Sequence, residues 1–331
     1  MDKAESQVLL PPPSLMKALM AGFDAITNHL GLILFPIALD LLLWFGPHVS
    51  LMNLLRSYLD QVTMPPEAST PEMANLLSTG RELWLALVER FNLLGVLRAY
   101  PVGIPSLMVS RAPVAVPGGA PLVWQVPSFG AVILFWLLLT LLGLVIGTLY
   151  FAVVSQAALL EKMSLRHAVE QWPWASKQVI LLALLWLGGL LLISVPFSCV
   201  LTVLILGGVG LGGFAPLVYG GLLIWLLLPL VFSPHGIFVN QRQMWASVRD
   251  GAHLVRLTLP TTGLLILIIL VISEGLDTLW RVTPETSWLS LVGLVAHAFV
   301  TTGLLATTFV YYRDTDRWIK QVEQKAIVAK M

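Results

Sequence analysis

Gln178-Val-Ile-Leu-Leu-Ala-Leu-Leu-Trp-Leu-Gly-Gly opens a run of 64 residues, Gln178 to Gln241, that contains no Asp, Glu, Lys or Arg. A bilayer core takes about 20 apolar residues of helix, so this window is too long for one crossing and suits two. The natural split is the glycine-rich run Gly207 to Gly213. Three further charge-free windows, Ala112 to Leu160, Leu257 to Ser273 and Thr286 to Tyr312, extend the pattern. Together they place membrane spans near 128–155, 178–206, 214–234, 258–281 and 288–312. A shorter span is expected near 30–46, where Leu30-Gly-Leu-Ile-Leu-Phe-Pro and Leu41-Leu-Leu-Trp-Phe flank Asp40 with strongly apolar residues, bringing the total to six.

Composition agrees with that reading. Of 331 residues, 57% are hydrophobic and only 11% charged, against a charged share of about 25% in soluble domains. The chain is an integral membrane protein. A formal net charge of +1 excludes a nucleic-acid binder that relies on a general basic field. Cys199 is the single cysteine, so neither an intramolecular disulfide nor a thiolate metal cluster can form.

Backbone amides in hydrocarbon must be satisfied within their own segment, which makes continuous helices the expected form. Ala131-Val-Ile-Leu-Phe-Trp-Leu-Leu-Leu is apolar on every side, whereas a barrel strand would alternate. The fold class is therefore an all-α polytopic bundle of about six transmembrane helices with added interfacial amphipathic helices. Pro36, Pro196 and Pro229 fall inside spans and are expected to kink them or open local carbonyl pairs.

Lys and Arg counts set the expected orientation. With six spans one side receives 13 basic residues and the other 6, of which Arg56, Arg81, Arg90, Arg98 and Arg111 share one long segment that weighs little. Both termini should then face the cytoplasm from a plasma (inner) membrane. Residues 1–13 are polar and end in Pro11-Pro-Pro, so no cleavable signal peptide is expected. The divisions are a cytoplasmic amphipathic segment 1–29, the first span 30–46, an extracytoplasmic segment 47–127, a five-helix membrane domain 128–312 and a basic cytoplasmic tail 313–331.

Three segments outside the spans carry helical periodicity. Ser14 caps a helix with an apolar stripe of Leu15, Leu19, Phe23, Ile26 and Leu30, expected along the cytoplasmic interface. Thr70-Pro-Glu opens an amphipathic helix over 71–98 whose face includes Leu76, Leu77, Leu83, Trp84, Leu87, Val88, Phe91 and Leu94. It serves as a cover on the membrane or as a lid above a vestibule. The rest of that segment, with Pro65-Pro66, Pro113, Pro117-Gly-Gly, Pro121 and Pro127, reads as loop. Between spans four and five, Arg242, Arg249, His253 and Arg256 fall within a narrow arc at about 100° per residue. That stripe suits anionic lipid headgroups, at about 1 kcal/mol per basic residue near the surface, or simple solvation. Ala168 and Ala246 sit at matching places in two such interfacial helices, a weak sign that spans three and four echo five and six.

Pro234-His-Gly-Ile-Phe-Val-Asn, then Met244-Trp-Ala-Ser-Val-Arg-Asp-Gly-Ala, then a long apolar helix from Leu259 resembles uncharacterised bacterial six-span membrane proteins. These are similar to the membrane domain fused to some glycerophosphoryl diester phosphodiesterases. The resemblance covers roughly residues 130–312. It implies a helical membrane domain with no reaction of its own and supplies no catalytic residues.

Motifs for soluble-type chemistry are missing. Gly208-Val-Gly-Leu-Gly-Gly matches a dinucleotide-binding pattern, but no strand precedes it and no acid follows about 20 residues later. Walker, His-Glu-x-x-His and Gly-x-Ser-x-Gly patterns do not occur, and His29, His48, His167, His235, His253 and His297 lack metal-ligand spacing. No catalytic residue, metal or cofactor is expected. The remaining lead is ionisable groups within spans, which cost at least about 2.5–3.5 kcal/mol to insert. Asp40, Glu274, Asp277 and His297 are the candidate polar site. Glu274 and Asp277 are three residues apart and share a helix face, with Arg281 a turn further on. Asp277 either joins that cluster or pairs with Arg281, while Asp40 and Glu274 bind backbone or serine groups.

Two functions follow. The favoured one is a non-enzymatic membrane scaffold or assembly partner, with a protein partner or a second copy packed through small residues such as Gly188-Gly189 and Gly220-Gly221. The alternative is a carrier or channel for a small solute, ion or lipid that uses the acidic and histidine cluster. A lipid-modifying enzyme ranks third.

Overall fold

The computed structural model describes residues 12–61, 71–160, 162–206 and 214–328. The Gly207 to Gly213 connection, the Thr70 cap and the Gly208-Val-Gly-Leu-Gly-Gly pattern lie outside the described residues. Within them the protein is an all-α helical bundle with two three-residue strands. Its helices are α1 (Leu15–Asn28), α2 (Leu34–Phe45), α3 (Met52–Gln61), α4 (Pro71–Arg90), α5 (Leu107–Arg111), α6 (Phe129–Leu159), α7 (Leu165–Leu206), α8 (Phe214–Leu227), α9 (Ser233–Val239), α10 (Met244–Leu257), α11 (Leu259–Trp280) and α12 (Ser290–Val328).

Among the described residues, five helical stretches are long and apolar enough to cross a membrane: Phe129–Leu159, Leu165–Leu204, Phe214–Val239, Leu259–Trp280 and Ser290–Val328. A sixth exists only if α1 and Leu30–Phe45, interrupted at His29, count as one broken span. The expected first crossing over 30–46 therefore does not stand alone. At 12 residues, α2 reaches only about 18 Å, well under a hydrocarbon core of about 30 Å.

Elsewhere helices run further than the charge pattern indicated. The interfacial segment before the third span and the span itself are one 42-residue helix, α7, which runs through Pro173 and Pro196. In the proposed echo of this arrangement, α10 and α11 are instead separated at Thr258. The basic tail is no separate segment, because α12 continues to Val328. Helix formers and an Asp316–Lys320 pair at 2.5 Å, one turn apart, support the extension. Pro36 sits in the first turn of α2, where its missing amide is no loss, and Pro229 lies in a 3₁₀ turn, Leu228–Leu230, between α8 and α9.

The segment read mostly as loop has more order than expected. It holds α3, α5 and a parallel pairing of β1 (His48–Ser50) with β2 (Val123–Gln125). The amphipathic helix stops at Arg90 instead of 98, because Asn92 turns extended and caps a 3₁₀ turn, Leu93–Leu97, accepting from the Leu94 amide at 3.1 Å. Leu83, Trp84 and Leu87 on α4 remain exposed.

The chain forms two compact units. One combines the chain up to His29 with Phe151–Val271 and Gly303 onward. Its core gathers Ala18, Phe232, Leu254, Val255, Val310 and Tyr311. The buried face of α1 is Ala18, Gly22 and Ile26, so small residues seat this helix on α12, where Gly22 meets the backbone of Thr307.

The other unit is Leu30–Tyr150 with Ile272–Thr302. Here α6 presses two glycines onto the chain that follows α4. A Cβ on Gly143 would overlap the carbonyl of Leu97, and one on Gly147 would overlap that of Val102. The small residues singled out in the sequence do not have this role within the chain. Gly188, Gly220 and Gly221 have nothing within 4 Å of a built Cβ, and Gly189 meets only Leu226 at 3.4 Å.

Gly143→Ala and Gly147→Ala are expected to destabilise this packing by about 1–3 kcal/mol each, as overpacking does, seen as a lower melting temperature of the detergent-solubilised protein. Gly188→Ala is the comparison and should leave melting unchanged or slightly raised. Equal melting of all three variants would contradict the close approach at α6.

Candidate intramembrane polar site

The unit built from Leu30–Tyr150 and Ile272–Thr302 contains every candidate polar residue. Asp40, on α2, is wholly buried. Its Oδ1 accepts from the Ser106 hydroxyl at 2.5 Å and the Met108 amide at 2.9 Å, and its Oδ2 accepts from the Leu107 amide at 3.2 Å. Ser106 is at the same time the N-cap of α5, accepting from Val109 N–H at 3.1 Å. The carboxylate therefore satisfies the open amides of a five-residue helix that would otherwise be unstable in isolation. The sequence signal for this partner was the Ser106-Leu-Met-Val-Ser pattern, a cap ahead of apolar residues, placed in a segment read as loop.

Asp277, near the end of α11, and His297, on α12, form the second part. His297 Nδ1 lies 2.6 Å from Asp277 Oδ1, and both side chains are less than a tenth exposed. Donation to a carboxylate requires the proton on Nδ1. The opposite nitrogen, Nε2, is buried and takes no hydrogen bond among the described residues. Asp40 interacts electrostatically with His297, so these three residues share one neighbourhood.

Glu274 does not join them. It is exposed, although only three residues from buried Asp277. The turn angle of about 300° between such positions leaves one on the inner face and the other at its edge. Asp277 also does not pair with Arg281, since its partner is His297, and only the backbone amide of Arg281 bonds back to the Asp277 carbonyl, at 3.0 Å.

Arg111 was not singled out beyond its place on one side of the membrane, yet it is a buried cation at the end of α5. It donates to Ser290 Oγ at 3.1 Å and to the carbonyl of Thr283. Burial lowers its pKa, and the nearby Glu285 carboxylate opposes that shift. Glu285 accepts from Arg90 at 3.4 Å and from the Val114 amide at 3.0 Å, so the connection after α11 is tied to α4 and to the end of α5.

The cationic stripe belongs to the other unit. Arg249, His253 and Arg256 stand exposed on α10 beside Trp245, while Met244, Ser247, Gly251, Leu254 and Val255 are buried. Arg242 is not on this helix, which starts two residues later, and it pairs with Asp250 at 3.5 Å. His253 lies 3.0 Å from Glu323. Two arginines thus remain of the four-residue stripe as cations with no ion pair among the described residues. No group of three or more metal-ligating side chains occurs among the described residues.

Comparison with protein-family models, with curated proteins and with solved structures finds no match.

The three donors on Asp40 make it a structural group. Asp40→Asn turns an acceptor toward amides into a donor, and Ser106→Ala removes both a cap and a hydrogen bond. Each is expected to cost about 1–3 kcal/mol, read as a lower midpoint in thermal melting. Glu274→Gln, on an exposed site, should leave the midpoint within error, and an equal loss in all three variants would contradict this assignment.

Proposed function

We propose that this multi-pass protein is a non-enzymatic scaffold or assembly partner in the plasma membrane, with both termini in the cytoplasm. The observation that carries the reading is the state of Asp40. The Asp40 carboxylate, wholly buried, is held by three protein donors as a folding element, so it is not available to a moving solute. Apolar faces support the same view: α8 buries none of its residues within the chain, and Phe214, Leu217 and Trp225 are more than 70% exposed. Lipid or a partner helix, either a different protein or a second copy, covers such a surface in hydrocarbon. Kinship with the membrane domains linked to phosphodiesterases belongs to the same proposal, since it also implies a module without its own reaction. The excess of 13 basic residues on one side over 6 on the other supports the orientation if the broken first pair crosses.

A second reading, a proton-responsive carrier, has one observation in its favour: His297 has an unpartnered buried Nε2 beside Asp277.

Proteoliposomes under an imposed pH gradient separate the two. The scaffold reading expects no proton or solute flux that Asp277→Asn or His297→Gln abolishes, together with discrete protein adducts from a photo-crosslinker at Trp225 in native membranes. Flux lost in both variants would replace it with the carrier reading. Terminal tags should be accessible only from the cytoplasmic side, whereas accessibility from opposite sides would show an odd number of crossings.

A further inference from the structure

In the unit that contains both ends of the described chain, α6, α7, α9 and α12 surround a cavity of about 310 Å³. That is within the range of about 300–1,000 Å³ typical of small-molecule sites. Its position is fixed by the sequence as much as by the packing. Three charge-free windows end at this wall, at Leu160, at Gln241 and at Tyr312 just before Arg313. Each is the level at which a spanning helix leaves hydrocarbon. Their meeting places the cavity at the membrane–water interface, the depth of lipid phosphates.

The lining mixes apolar and polar groups, and its charged side chains are cationic on balance. Arg313 and Arg317 both face it from α12. Arg313 engages Asp314 through Nε at 2.8 Å, and Arg317 has no ion pair among the described residues. The carboxylate in the wall, Asp316, is already matched by Lys320 Nζ at 2.5 Å and Asn240 Nδ2 at 3.4 Å. It therefore repels an incoming anion little. Gln156 is nine-tenths buried, and its carbonyl oxygen is occupied by the Ser164 amide at 3.1 Å. Gln156 lines the cavity, and its amide nitrogen, a neutral donor, has no hydrogen-bond partner among the described residues. His167 and Gln171, one turn apart on α7, are joined at 2.7 Å along one wall.

We propose that this cavity binds a phosphate ester anion, held by the guanidinium groups of Arg313 and Arg317 and by the Gln156 amide. Planar guanidinium forks match phosphate oxygens in pairs, which amides and hydroxyls alone do not. The chemistry is shared by a phospholipid headgroup and by a soluble phosphate ester, and the depth of the site allows either to reach it. The assignment is independent of whether the protein is a scaffold or a carrier.

The test uses the full-length protein in detergent, followed by native mass spectrometry with phosphatidylglycerol, with phosphatidylcholine and with glycerol 3-phosphate. The expected result is retained phosphatidylglycerol or glycerol 3-phosphate whose affinity falls about tenfold or more in Arg317→Gln, the loss of one charge-assisted contact. Arg56→Gln, exposed on α3 in the other unit, should leave it unchanged. Displacement of bound glycerol 3-phosphate by phosphatidylglycerol identifies the lipid as the ligand, and binding that the lipid does not displace identifies the soluble ester. Equal binding by Arg317→Gln and the unaltered protein, or an equal loss in Arg56→Gln, overturns the site. Arg313→Gln adds a second point if its melting temperature shows it folded, and Arg317, being exposed, carries the test if it does not.

Discussion

A polar group in hydrocarbon has no water to fall back on, and this constraint shapes the protein at every level. Across the spans it leaves long windows without charge and turns them into helices that satisfy their own amides. Where charge is buried, at Asp40, Asp277 and Arg111, the chain supplies the partner. The Asp40 carboxylate is the clearest case, because it takes the hydroxyl of Ser106 and two amides of α5 and so stands in for the turn of helix those amides lack.

The same requirement organises the connection after α11. Arg111 is buried there by virtue of the Ser290 hydroxyl and the Thr283 carbonyl, while Glu285 ties the connection to Arg90 and to Val114. Trp44 adds a bond from its indole to the Glu285 carbonyl at 3.2 Å. That connection is thus given order by an ion pair and hydrogen bonds, with helix propensity contributing little.

Polar placement also separates two kinds of site. Asp277 and His297 are satisfied by each other on one side only, with the imidazole Nε2 left open. The interfacial cavity, by contrast, collects guanidinium groups where three hydrocarbon windows end. The first is a pair buried inside protein; the second is the cavity proposed above to take a phosphate ester anion.

The sequence by itself determined that the chain is helical and crosses a membrane, because the absence of charge over 64 residues leaves no other stable form. It also marked Asp40, Glu274, Asp277 and His297 as the candidate interior polar residues, since an ionisable side chain among apolar neighbours is costly wherever it stands. Only tertiary structure decided what they do. Spacing along α11 put Glu274 beside Asp277, yet packing buries one and exposes the other. A serine from a remote proline-rich segment claimed Asp40, a partner 66 residues away. Helix ends were equally beyond the charge pattern: α7 and α12 run on past the expected boundaries, and α2 starts only at Leu34 and is too short to cross alone, because helix length is set by packing and capping, whereas hydropathy reports only where hydrocarbon is tolerated.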